Sequence, residues 1–373
     1  MNLPDIWPIV VAWGKGQTPS PCEWQALIAW EMGVGPIVKP NGHQQSAVWK
    51  VDLDHVQTAL SERAQILQAL HCHQAVLPLP AAWPAHVELL WAFWLPFAQQ
   101  LDARQKALGQ PFIQGILGGQ GTGKTTLTKG LSVILQQMGQ SAATLSLDDL
   151  YLPYGDRLKL QQSDPRLVWR GPPGTHDINL GIQTLSAIKS ASPAAQIKLP
   201  RFDKSLYQGQ GDRLEPVSLP APSILFFEGW FVGSVPIDEA LFADSNAALP
   251  APIKTLEDRQ FARDMNRQLR QYQPLWELLD SLAVVVPEDY QLSYQWRLQA
   301  ERQMRAAGKE SLSDKEIVEF VTYFWKALHP ELFILPIAEQ AIQQESDALS
   351  ERCRINLVVE IGQGHDIKAL YST

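Results

Sequence analysis

Residues 114–128, "QGILGGQGTGKTTLT", restrict this chain more than any other stretch. An apolar run enters six residues rich in glycine, and a lysine and two threonines come directly after them. Gly118-Gly119-Gln120-Gly121-Thr122-Gly123-Lys124-Thr125 matches G-x-x-x-x-G-K-[ST], with a strand pattern before it and a helix pattern after it. The glycines let the backbone wrap so that successive N–H groups converge on a β-phosphate, and the helix N-terminus adds its partial positive charge. Lys124 is suited to the β- and γ-phosphates and the Thr125 hydroxyl to Mg²⁺, with Thr126 in the same phosphate-facing turn. The motif implies a nucleoside triphosphate and leaves the reaction open: transfer to a small molecule, work, or a switch.

The flanking sequence sets the fold class. "FIQGIL", "SAATLSL", "SILFFEGW", "SLAVVV" and "INLVVEI" read as short buried strands, and "KTTLTKGLSVILQQMG" as an amphipathic helix stopping at Gly139. Apolar strands alternating with helices predict an α/β fold: a P-loop NTPase-like parallel sheet sandwiched by helices. Residues 1–105 predict a mainly helical N-terminal subdomain, Trp-rich and broken at Pro80, Pro84 and Pro96, that packs against a kinase-type domain over 106–373. Polar residues at the C-terminal ends of the strands mark where such a sheet places its ligand.

Composition narrows the partners. A net charge of -8 gives no basic face for nucleic acid or an anionic membrane. Cys22, Cys72 and Cys353 are too few and scattered for a disulfide framework, which suits a reducing, cytoplasmic compartment. "HCHQ" at 71–74 has no second ligand pair at zinc-site spacing, so it reads as no metal site. The N-terminus has no basic n-region, and "HVELLWAFWLPFA" from His86 is too short to span a bilayer and carries Glu88.

Two carboxylates bear on the reaction. Asp148, in "SLDDLYLP", ends the second strand, where it can act as base toward an acceptor hydroxyl or serve the metal; Glu228, in "FFEGWF", ends another, a place from which Mg²⁺ or its waters are held. Asp149 reads as a helix cap. Two polar loops lie between them. "WRGPPGTHDINLG" offers Arg170, His176 and Asp177, and "LPRFDKSLYQGQGDR" offers Arg201, Asp203, Lys204 and Arg213. Arginine matches a carboxylate in bidentate fashion and Asp or His binds hydroxyls, so these seven are candidates for holding a small anionic acceptor. Arg297, in a helix after the fourth strand, is the candidate lid arginine for charge on a transferring phosphoryl group. Arg263, Arg267 and Arg270 share another helical face, which reads as solvated or substrate-side.

Seven motifs in order, "GGQGTGKTT", "LDDLYLP", "RGPPGTHD", "PRFDKS", "GDR", "EGW" and "YQWRLQAE", resemble the P-loop D-glycerate 3-kinases of plants and cyanobacteria, within the wider uridine kinase, phosphoribulokinase and pantothenate kinase group. The resemblance covers roughly residues 110–373. It implies ATP- and Mg²⁺-dependent phosphorylation of D-glycerate at its 3-hydroxyl, in photorespiratory salvage. It further implies Asp148 as activator of the acceptor hydroxyl, Glu228 at the metal and Asp177 at acceptor hydroxyls. Leu150 stands where the wider group commonly has Phe. Pantothenate, a nucleoside or a sugar phosphate remain alternative acceptors. A switch or motor is the alternative class, although no N-K-x-D guanine-reading motif is present. The oligomeric state is not set by the sequence, and topology puts adenine near "IGQGHD" after the last strand.

Overall fold

A computed structural model describes residues 5–33, 55–72, 77–78, 85–244, 247–306, 312–343 and 355–372. Pro80, Pro84, Cys353 and the second half of "HCHQ" lie outside the described residues. Among the described residues eight strands form: β1 Phe112–Gly118, β2 Ala142–Ser146, β3 Gln196–Asp203, β4 Asp212–Pro220, β5 Ile224–Gly229, β6 Ser281–Pro287, β7 Ile355–Ile361 and β8 Ile367–Ser372. Six of them make one sheet in the order β2-β5-β1-β6-β7-β8. β2, β5, β1, β6 and β7 run parallel, whereas β8 pairs antiparallel with β7. β1 and β5 are buried along their whole length, as strands covered on both faces must be.

Two features depart from the expectation. β8 adds an antiparallel edge after the short turn at 362–366, so the sheet is mixed at that end. β3 and β4 form a separate antiparallel hairpin from the stretch read as a polar loop. Arg201 and Asp203 therefore sit on β3 and Arg213 on β4, with only Lys204 in the connection.

Each face of the main sheet has its own core. On one face the N-terminal helices and the helix Lys124–Gln137 cover Phe112, Ile116, Phe226, Val285 and Val359 in one continuous apolar cluster. On the other, Ile113, Leu117, Leu225, Phe227 and Val284 pack under the helices Ile178–Lys189 and Leu256–Gln268. The alternation along β1 explains this split, since successive side chains of a strand point to opposite faces. Among the described residues, no helix is long and apolar enough to cross a membrane.

Candidate active site

The phosphate loop follows β1, the third strand of six, and its lysine opens the helix Lys124–Gln137. Gly121 has φ +80, and a Cβ there would lie 2.8 Å from Trp296 Cβ, so only glycine fits under that indole. The Thr122 hydroxyl donates to the Gly119 carbonyl at 2.9 Å, bracing the turn. Lys124 Nζ donates to the same carbonyl at 2.8 Å, which aims the ammonium back across the loop. Burial lowers the pKa of Lys124, and the charges of Glu228 and Asp148 offset part of that effect. The loop lysine thus lies within electrostatic reach of both carboxylates.

Glu228 ends β5 and is 6% exposed. The Thr125 hydroxyl donates to its Oε1 at 3.2 Å. A hydroxyl and a carboxylate oxygen side by side at the loop suit a hard cation that takes its remaining ligands from phosphates and water. Residues Thr125 and Glu228 therefore fit Mg²⁺.

After β2 the chain makes a single 3-10 turn, Leu147–Leu150, capped reciprocally by Ser146 and Asp149. Asp149 also accepts from Arg201 Nη1 at 3.1 Å and from the Phe202 N–H at 3.2 Å, which ties the turn to β3. Asp148 is left for other work. Its Oδ1 accepts from the Tyr151 hydroxyl at 2.7 Å and its Oδ2 from Lys204 Nζ at 2.5 Å. Burial alone would raise the Asp148 pKa, but Lys204 and Tyr151 hold it below the usual carboxylate value. Asp148 is ionised at neutral pH.

The segment 150–152 pairs with 175–177 through Asp177 N–H to Leu150 O at 2.7 Å and Leu152 N–H to Thr175 O at 3.0 Å. This brings the ring of His176 onto Tyr151, with centroids 4.6 Å apart. His176 is buried, and that burial depresses its pKa to about 3, so the imidazole is neutral. Tyr272, fully buried, accepts from the Gly174 N–H at 2.9 Å, and its hydroxyl lies 2.8 Å from His176 Nδ1. The buried Nε2 has no partner among the described residues.

The remaining candidates are occupied within the protein. Arg170 donates to the carbonyls of Gly209 and Gln210 at 2.7 and 3.0 Å. Arg201 is spent on Asp149 and the Thr144 carbonyl. Arg213 donates to the Tyr151 carbonyl and to Asp177, both at 2.9 Å. Asp177 caps the helix Ile178–Lys189 with its other oxygen, and Asp203 closes a turn onto Ser205. Arg297 pairs with buried Glu301 at 2.5 Å and lies over the Phe320 ring. Its neighbour Trp296 touches the phosphate loop. Arg267 and Arg270 both pair with Glu239. Sequence reasoning passed over Tyr151 and Tyr272, because a tyrosine gives no signal until its hydroxyl is placed. The "LYLP" after the two aspartates was the available hint for Tyr151.

No family model matches the chain. It is 33% identical over 232 residues to an uncharacterised kinase of Schizosaccharomyces pombe, a match spanning 60% of this chain and 82% of that one. It is 34% identical over 235 residues to the chloroplastic D-glycerate 3-kinase of Arabidopsis thaliana, spanning 60% of this chain but 49% of the relative. Among solved structures, a D-glycerate 3-kinase of Cryptococcus neoformans superposes with a TM-score of 0.62 at 31% identity, covering 74% of this chain and 97% of that one.

Proposed function

Since the chain belongs to the P-loop kinase family that includes D-glycerate 3-kinase, we propose that it transfers the γ-phosphoryl group of ATP to the 3-hydroxyl of D-glycerate. The product would be 3-phosphoglycerate, as in photorespiratory salvage. The observation that carries this reading is the pair beside the loop: an ionised Asp148 able to take a proton, and a buried His176 Nε2 that lacks a hydrogen-bond partner among the described residues.

Asp148 accepts the proton of the attacking hydroxyl. Tyr151 orients it by donating to one carboxylate oxygen and leaves the other to Lys204 and the acceptor. Lys124 and the amides of Gly119 to Thr125 hold the β- and γ-phosphate oxygens, where negative charge spreads during transfer. Thr125 and Glu228, with Asp148 nearby, would hold Mg²⁺, which when bound neutralises that charge. His176 Nε2 hydrogen-bonds a hydroxyl of the acceptor; an unmet buried polar atom costs about 1–3 kcal/mol, so filling it favours a polar acceptor. Lys204, whose side chain is 59% exposed, keeps two ammonium hydrogens beyond the one given to Asp148, which suits the carboxylate of glycerate. Arg170, Arg201, Arg213, Asp177 and Asp203 hold the segments that carry these groups. Arg297, now paired with Glu301, is the candidate lid arginine for the phosphoryl group.

The test is ADP release with D-glycerate, L-glycerate, pantothenate, uridine and ribulose 5-phosphate, with NMR of the product. Release that needs D-glycerate and yields the 3-phosphate is expected. Turnover of another acceptor alone would remove glycerate and keep the kinase; equal release without any acceptor would remove transfer itself.

A further inference from the structure

The phosphate loop has two flanks. Asp148 follows β2 and Glu228 lies near the end of β5, to one side of β1; on the other side β6 and β7 end, and β8 begins, beside a cavity of about 770 Å³. Ligand pockets for small organic molecules run to about 300–1,000 Å³, so its size suits a nucleoside. The floor of the cavity is the loop itself, Gly121 to Gly123 with Thr126. A triphosphate lying on that floor with its γ end toward Asp148 directs its base into this space.

The two walls come from distant parts of the chain. One is the far edge of the sheet, with Val359 and Ile367 and the turn at 364–366. His365 in that turn donates from Nε2 to the Gly121 carbonyl at 2.6 Å and stacks on Trp296, so this wall is locked to the loop. The opposite wall is Leu89 and Phe93 of the N-terminal helices.

That second wall is built for rigidity. Leu90–Trp94 is a π-helical turn, a form frequent at functional sites. It has a local cause: Pro96 lacks an N–H, so the Ala92 carbonyl four residues back cannot receive the α-helical bond. Trp91 in the turn is fully buried beneath the Arg63 guanidinium, 5.2 Å from the ring, and Arg63 is clamped by both oxygens of Glu31 at 3.0 and 2.8 Å. A paired charge buried there stabilises one packing over others, because any shift strands it without its partner. Trp94 then locks the turn to the loop helix: a Cβ on Gly130 would meet its ring at 2.0 Å.

We propose that this cavity takes the base and ribose of the nucleotide, and that the N-terminal helices, through Leu89 and Phe93, form half of the nucleotide site. The inference rests on the kinase reading for the phosphates on the loop, and it gives the N-terminal region a function beyond packing. A planar base lies between the two apolar walls, so both walls set affinity for the nucleoside part and neither sets affinity for the phosphates.

The test uses the full chain, with the cavity filled from each wall in turn by Leu89→Trp and Ile367→Trp. Both positions are only partly buried, and thermal melts verify folding. Binding of Mg·ATP and of inorganic tripolyphosphate is measured by calorimetry. The expected result is at least tenfold weaker ATP binding in both variants, tripolyphosphate binding within twofold of wild type, and an unchanged KM for glycerate. ATP affinity unaltered by Leu89→Trp in a folded protein overturns the proposal. So does an equal loss of ATP and tripolyphosphate, which would mean the wall acts only by holding the loop. A wild type that binds ATP but leaves glycerate untouched would sink the acceptor assignment alone.

Discussion

At the phosphate loop, the groups offered to the ligand are main-chain amides in one unbroken stretch; on the Asp148 side, they are side chains from four segments, most of them already bonded to one another. Arg201 holds Asp149, Arg213 holds Asp177 and Arg170 holds the 209–210 carbonyls. Asp148 and Lys204 keep part of their hydrogen-bonding capacity there, and the buried His176 Nε2 has no partner among the described residues. A charged residue in a site is therefore as often a brace as a contact. Unmet hydrogen-bonding capacity distinguishes the two better than charge does.

The sharpest way to break the comparison is at the donor half. Lys124→Ala removes the only side-chain cation in the loop, so kcat/KM should fall by about 10³-fold or more, with ATP binding weakened as well. Steady-state kinetics alongside calorimetry read both. On the other side, His176→Phe should raise the KM for glycerate by about 5- to 150-fold, the range that an unmet polar contact of about 1–3 kcal/mol gives, and leave the KM for ATP alone. A change in both KM values would mean that the two halves are not separable.

Bracing residues should behave differently again. Arg213→Met is expected to lower Tm by a few degrees and kcat about tenfold together, because it frees the Tyr151 carbonyl and Asp177 at once. A pure KM effect with unaltered Tm would promote Arg213 from brace to contact.

The smallest effect is on the pH dependence of stability. The folded pKa of His176, about 3, lies below its ordinary value of 6.5, so the unfolded chain binds more protons between those limits. Stability from this group is complete above about pH 6.5 and falls as the pH drops toward 3, by about 2 kcal/mol at pH 5. Denaturant melts of His176→Phe should show a shallower loss between pH 7 and 5 than wild type.

The same contrast explains what the sequence made legible. The phosphate loop is contiguous and its strand and helix are apolar and periodic, so pattern alone locates it. β1, β5, β6 and β7 were readable for the same reason. The hairpin β3–β4 was not: much of β4 is exposed, and its connection runs through Tyr207, Gln208, Gly209 and Gly211 at positive φ. β4 has no buried face and so carries no period-2 apolar signal, and β3 buries only Ile197, Leu199 and Pro200 before its polar end, so the pair looks like a loop. β8 was missed because it is a short edge whose partner is known only once β7 is placed. The arginines of the polar loops were visible as charges, but their partners were not, since Asp149 and Asp177 stand far from them in the chain. His176 was visible as a candidate; the partner of its Nδ1, Tyr272, stands 96 residues away.

Asp148→Asn tests the division between the halves most directly. With ATP affinity and phosphoryl transfer to glycerate measured on the same preparation, the expected result is unaltered ATP binding and melting temperature with turnover reduced by about 10²–10⁴-fold. Near wild-type turnover would contradict the account by removing Asp148 as base, and a parallel loss of ATP binding would contradict it by showing that donor and acceptor sides are not separate.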